Sequence, residues 1–174
     1  MIVLKLRTAI NERGLEMKTF IICCGIPGSG KSTAVSTLYP NATLISPDSF
    51  IGYTKENPWT TRAARQAWKK ADALLNEAFE RGDELIVFDA TFPKIKKRKK
   101  YINRGIQSGY SVYALYCPVP LKISLARNLL REKFRKVPEW IVENMNSNLQ
   151  VPTKLEGFEK VLTFNSVTNK LIDE

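Results

Sequence analysis

One stretch limits this chain more than any other: GIPGSGKST at residues 25–33, entered directly from the apolar run TFIICC at 19–24. Gly25, Gly28, Gly30, Lys31 and Ser32 satisfy the pattern G-x-x-x-x-G-K-(S/T), with strand character before it and helical period after it. The glycines let successive backbone N–H groups curl around a phosphate, and the helix that follows points its positive end at the same place. Lys31 has the reach for the β- and γ-phosphates, and the Ser32 hydroxyl can ligate magnesium. Ser29 and Thr33 complete the cradle. The ligand these residues call for is ATP or another nucleoside triphosphate, together with Mg2+; the base is not legible.

The rest of the chain repeats the strand–helix unit that the loop requires. Apolar runs of strand length fall at 19–24, 43–45, 85–88, 111–117 and 161–164. Between them lie segments of helical period: 31 to about 38, 58–81, the lysine-rich stretch to 108, 121 to about 134, and 138 to about 149. Such alternation predicts an α/β fold with a mostly parallel sheet covered on both faces, since parallel strands need crossovers and read as continuous apolar runs. Asn57 with Pro58 suits the opening of the long helix, and Pro138 that of the last one. Positions 64, 67, 68, 71, 74, 75, 78 and 79 form one apolar stripe, which makes Trp68 a packing residue. At 174 residues the chain fits one domain, here 18–174, with a helical lid around 121–138; residues 1–17 read as an N-terminal extension without an assigned role.

The chain has 27 Lys and Arg against 17 Asp and Glu, a net charge of +10, which attracts polyanions and makes nucleic acid the first candidate partner. Cys23 and Cys24 are neighbours on a buried strand, and three cysteines do not make a disulfide framework, so they read as reduced core residues of a cytoplasmic protein. No apolar run approaches the length of a membrane span. With no histidine in the sequence, proton transfer falls to carboxylates.

Two acids stand at the right edge for that work. Asp48 follows the second strand in LISPDSF, and Asp89 ends the third in LIVFDAT. In a parallel sheet, ligands sit at the carboxyl ends of the strands, beside the phosphate cradle. Asp48 can accept the proton of an attacking hydroxyl, or close an Asx turn; Asp89 can hold a magnesium-bound water, orient a basic residue, or cap the helix after Pro93. Arg127, Arg131 and Arg135 recur every four residues in LARNLLREKFRKVP, so a continuous helix would align them as one basic row with a triphosphate as counter-anion. An acceptor carboxylate facing a γ-phosphate under a basic lid is the equipment of a kinase rather than of a hydrolytic switch.

In this order, GIPGSGKST, SPDSF, DAT with a proline and a basic cluster, RNLLR, VP, and the stretch 152–158 ending in EGF, the chain resembles the P-loop kinase domain of 5′-hydroxyl polynucleotide kinases, end-healing enzymes of phages and bacteria. The likeness covers about residues 19–165. It implies an adenylate-kinase-like three-layer α/β/α fold of the P-loop NTPase class. It also implies that Lys31 and Ser32 bind donor phosphates and metal, that Asp48 is the general base toward a 5′-OH, that Arg131 clamps the transferring phosphoryl group, and that Arg127 and Asp89 support it. One position departs from the family pattern: Ile51 stands where an arginine for the acceptor's phosphate is expected.

The acceptor therefore stays open among the 5′-OH of DNA or RNA, a hydroxymethylated base in DNA, and a small metabolite. A reading of another class is a nucleic-acid-binding module switched by nucleotide. Residues 94–104, KIKKRKKYINR, hold seven basic residues and no acid. That run suits either a solvated helix face or a track for a phosphate backbone, and Tyr101, Phe50 and Tyr53 suit either base stacking or core packing.

Overall fold

In a computed structural model, residues 18–50, 60–132 and 135–172 are described. Strand β1 (Thr19–Cys24) is buried along its whole length because it has a neighbour on each side and helices on both faces. Around it run β2 (Thr43–Ile45), β3 (Leu85–Phe88), β4 (Ser111–Tyr116), β5 (Lys160–Asn165) and β6 (Lys170–Ile172), in the order β2-β3-β1-β4-β5-β6. The first five are parallel, and β6 returns antiparallel on β5. This is the doubly covered, mostly parallel sheet of a P-loop kinase-like fold. The edge strand β6 was not anticipated; its lysine and terminal position hide a strand that needs only three residues.

Alternation along β1 divides the core into two layers. Phe20, Ile22 and Cys24 face α2 (Thr61–Arg81) and α3 (Ile95–Gln107), while Ile21 and Cys23 face α1 (Lys31–Leu38). Phe88, Phe92 and Tyr101 pack edge to face within about 5 Å of one another, with the Trp68 ring beside them. Tyr101 is thus a core residue and not a stacking platform, and Phe50 packs partly against the same layer; Tyr53 lies outside the described residues. Ala67, Ala71, Leu75 and Ala78 carry the expected stripe of α2, whereas Leu74 turns outward.

Several boundaries differ from expectation. The helix begins at Thr61, with the Thr60 hydroxyl accepting from the Ala63 N–H at 3.1 Å; Asn57 and Pro58 lie outside the described residues. Pro138 is the N-cap, not the first residue, of α5 (Glu139–Ser147). The larger correction concerns α4, which spans Leu121–Leu129 and stops well short of 134. Arg127, Arg131 and Arg135 consequently do not form a row on one helix. The cause is local: the buried Asn128 side chain turns to the returning chain, donating to the Val137 carbonyl at 2.7 Å and accepting from its N–H at 3.1 Å. One side chain here replaces the ladder that would have carried the helix onward.

The lysine-rich stretch conceals a buried ion pair. Arg98 is fully buried and donates to both Glu156 oxygens at 2.7 Å and to the Phe92 carbonyl at 3.0 Å. Glu156 also accepts from the Thr153 N–H at 3.0 Å, so every polar atom of the pair is satisfied. The bridge links α3, the Lys154–Glu156 turn and the loop after β3, where Phe92 sits at φ 41°, a left-handed conformation unfavourable for a bulky residue. Replacing Arg98 by Met should lower stability by about 3–5 kcal/mol in urea denaturation, and the Arg98→Met/Glu156→Leu double variant should lose less than the two single variants summed.

All three thiols are buried and free, and burial raises each of them, Cys24 and Cys117 to about 12. A thiol held neutral in the fold but free to ionise when unfolded stabilises the native state below pH 9 and loses that contribution as pH climbs toward 12. Native protein should therefore resist a thiol reagent at pH 8, and a Cys24→Ala/Cys117→Ala variant should show a shallower decline in stability between pH 9 and pH 11 than the parent.

Candidate active site

The loop between β1 and α1 takes a shape that side chains would forbid. Gly28 and Gly30 adopt φ 78° and 92°; a Cβ on the first would meet the Ser124 carbonyl oxygen at 2.7 Å, and on the second the Ser166 Cβ at 2.5 Å. Neighbours also hold it by hydrogen bonds. The Gly25 N–H donates to the Thr91 carbonyl at 3.1 Å, and the buried Ser124 hydroxyl donates to the Pro27 carbonyl at 2.5 Å. Nothing in the motif announces Thr91, Ser124 or Ser166, because their contribution is contact with backbone that the glycines leave bare.

Lys31 is almost fully buried against its own loop, donating to the Gly25 carbonyl at 3.1 Å, the Ile26 carbonyl at 2.9 Å and the buried Ser29 hydroxyl at 3.4 Å. The Ser32 hydroxyl donates to Asp89 Oδ2 at 2.6 Å. Asp89 is buried at the end of β3, its N–H bonded to the Ile45 carbonyl at 2.9 Å. It is thereby joined to the metal-ligating candidate of the loop rather than capping the helix after Pro93. Both groups are hard oxygen donors, the kind magnesium prefers, and magnesium is commonly held by one or two protein oxygens plus substrate phosphates. Among the described residues no group of three or more His, Cys, Asp or Glu side chains is placed to hold a metal ion by itself.

A cavity of about 720 Å³ opens over this loop, within the range of small-molecule sites. Lys31, Ser32 and Asp89 form one wall; Asp48, exposed on the Pro47–Phe50 turn after β2, stands on another; Arg131 and Arg135, past the end of α4, stand on a third. Six of the residues singled out in the sequence thus converge on one space. Trp68 lines it as well, so the ring that packs against Phe88 and Phe92 also presents a surface to the site.

Three expected side chains stand elsewhere, Ser29 being fully buried against Lys31. Thr33 is exposed on the first turn of α1 and does not line the cavity. Arg127 is behind the loop: its guanidinium donates to the Gly28 carbonyl at 3.2 Å, the Ser166 hydroxyl at 2.8 Å and the Ser166 carbonyl at 3.1 Å. It braces the cradle from outside, tying α4 and the β5–β6 turn to it.

Residues 20–152 match a family model described as AAA domain. No curated protein matches the chain significantly. Among solved structures, a chain from the PezAT chromosomal toxin–antitoxin system of Streptococcus pneumoniae is 18% identical, with TM-score 0.71 over 91% of this chain and 72% of that one. A putative kinase from Chloroflexus aurantiacus is 17% identical, with TM-score 0.63 over 86% and 89%. A chain of the Pnkp1/Rnl/Hen1 RNA repair complex is 17% identical, with TM-score 0.66 over 95% of this chain and 51% of that one. At such identities the likeness is one of fold.

The Asn128 clasp closes the neck of the segment that carries Arg131 and Arg135. Asn128→Ala should lower stability by about 1–3 kcal/mol and speed hydrogen exchange at the Val137 amide, while Asn128→Asp, which at neutral pH sets a carboxylate oxygen against the Val137 carbonyl with no proton between them, should lose at least as much.

Proposed function

The chain belongs to the AAA domain family, whose members have the P-loop kinase-like fold described above, and from that premise we propose that it is an ATP-dependent phosphotransferase whose acceptor is the 5′-OH end of a nucleic acid. The observation that carries the proposal is the convergence of Lys31, Ser32, Asp48, Asp89, Arg131 and Arg135 on one cavity above the glycine loop.

The chemistry follows from those positions. The loop amides and Lys31 hold the β- and γ-phosphates, the ammonium exchanging its contacts with the loop carbonyls for phosphate oxygens. Ser32 and Asp89 are the residues that would hold magnesium, which when bound neutralises charge on the β- and γ-oxygens. Asp48 faces the same space as an exposed carboxylate and accepts the proton of the attacking hydroxyl. The acceptor oxygen forms its bond to the γ-phosphorus as the bond to the β–γ bridging oxygen breaks, and ADP leaves. Arg131 and Arg135 meet the negative charge spread over the transferring group, and closure over the cavity excludes water. A net charge of +10 favours a polyanionic acceptor over a neutral one.

With γ-labelled ATP and magnesium, label should appear on 5′-hydroxyl oligonucleotides in preference to base-modified duplexes and small alcohols. Asp48→Asn should slow transfer on the order of a hundredfold with ATP binding retained, and Arg131→Ala should cost about 3 kcal/mol or more in transition-state stabilisation. Transfer at the parent rate by Asp48→Asn would refute the assignment, and label found on small alcohols alone would refute the acceptor.

A further inference from the structure

The lysine-rich helix α3 is the obvious seat for a polyanion, yet the fold withdraws much of it. Arg98 is buried on Glu156, Lys100 and Arg104 bind Asp72, and the Lys97 ammonium lies 3.3 Å from the centre of the Trp68 ring. The first half of α2 presents the opposite case. Arg62, Arg65, Lys69 and Lys70 are exposed there, and none of them is in an ion pair among the described residues.

Their placement on the helix separates them into two flanks. Trp68 and Asp72 turn toward Lys97, Lys100 and Arg104 of α3. Arg62, Gln66 and Lys70, spaced by four, share a different flank. Along that flank lies a cavity of about 200 Å³, distinct from the nucleotide site, lined by these three side chains with Phe50, Ala63 and Ala67. Alanine at 63 and 67 keeps that part of the lining small. Phe50 belongs to the Pro47–Phe50 turn that carries Asp48, so the cavity adjoins the proposed acceptor base. The next acid on that flank, Glu77, is two helical turns beyond Lys70, about 10 Å along the axis. Two cations, an amide that can donate between them and an aromatic edge are a donor set for one phosphate on an organic chain.

We propose that this cavity seats a phosphodiester of the acceptor strand adjacent to its reacting hydroxyl, making Arg62, Gln66 and Lys70 determinants of acceptor choice. The inference rests on the reading of a nucleic-acid acceptor and goes further by fixing the path of the strand along α2 rather than α3.

Binding of a fluorescent 5′-OH single-stranded oligonucleotide to the full chain, measured by anisotropy over a salt series, tests it. Each phosphate contact on a single strand contributes about 0.7 to the slope of log affinity against log salt. Arg62→Gln/Lys70→Gln should flatten that slope by about 0.7 and raise KM for the oligonucleotide, with ATP affinity unchanged. Arg62→Lys/Lys70→Arg should restore the slope, and Lys96→Gln/Lys99→Gln, at exposed positions of α3, should leave it alone. An unaltered slope in the α2 pair, or a loss that follows the α3 pair instead, overturns the proposal. A parent protein that binds the strand through the α2 pair but transfers no phosphoryl group to it would refute the kinase reading and keep the site; normal transfer with an unaltered slope would remove the site and keep the kinase.

Discussion

A loop whose amides must face an anion can satisfy few of them within itself, so much of its shape has to be imposed from outside. Here the imposition is close backbone contact. Ser124 and Ser166 occupy the space where side chains on Gly28 and Gly30 would be, and the carbonyls of residues 25, 27 and 28 are engaged by Lys31, Ser124 and Arg127. Through these few contacts the loop touches α4, the β5–β6 turn and the segment after β3. The remainder of the site inherits its position from that arrangement: Asp89 reaches Ser32 because β3 lies next to β1, and the segment holding Arg131 starts from a helix already fastened to the loop.

The fold was legible where burial on two faces leaves no choice of residue. TFIICC, LIVF and SVYALY read as strands because a central parallel strand has no polar side to obscure it. Legibility failed where a single side chain overrides a periodic pattern. LARNLLREKF keeps helical spacing past residue 129, and only the three-dimensional return of Val137 to Asn128 ends the helix. Neither reading of the basic run at 94–104 singles out Arg98, although it lies on the same face as Ile102 and Gly105, the buried face of α3, and is an arginine in a run of lysines. Position on the apolar face was the available signal.

Charge in this protein is sorted by the fold rather than spread over it. Of the cations in α3, Arg98 is consumed by a buried bidentate pair and Arg104 by Asp72 and Asn76. Buried pairs of that kind contribute little net stability but make removal of either member expensive, so Arg98 and Glu156 specify which helix covers the loop after β3 more than they strengthen it. Among the described residues, Arg62, Arg65, Lys69 and Lys70 of α2 are exposed and in none of the ion pairs, so part of the field of a basic protein is left along that helix.

The clasp between Asn128 and Val137 has one further consequence. It ties Asn128 and Val137, at either end of the arginine-bearing stretch, to each other. Substitutions inside that stretch should therefore disturb β4 and the glycine loop less than loss of the clasp itself. A scaffold built this way can exchange the tip of that stretch while keeping the glycine loop as it stands, a mechanical route by which one architecture diversifies.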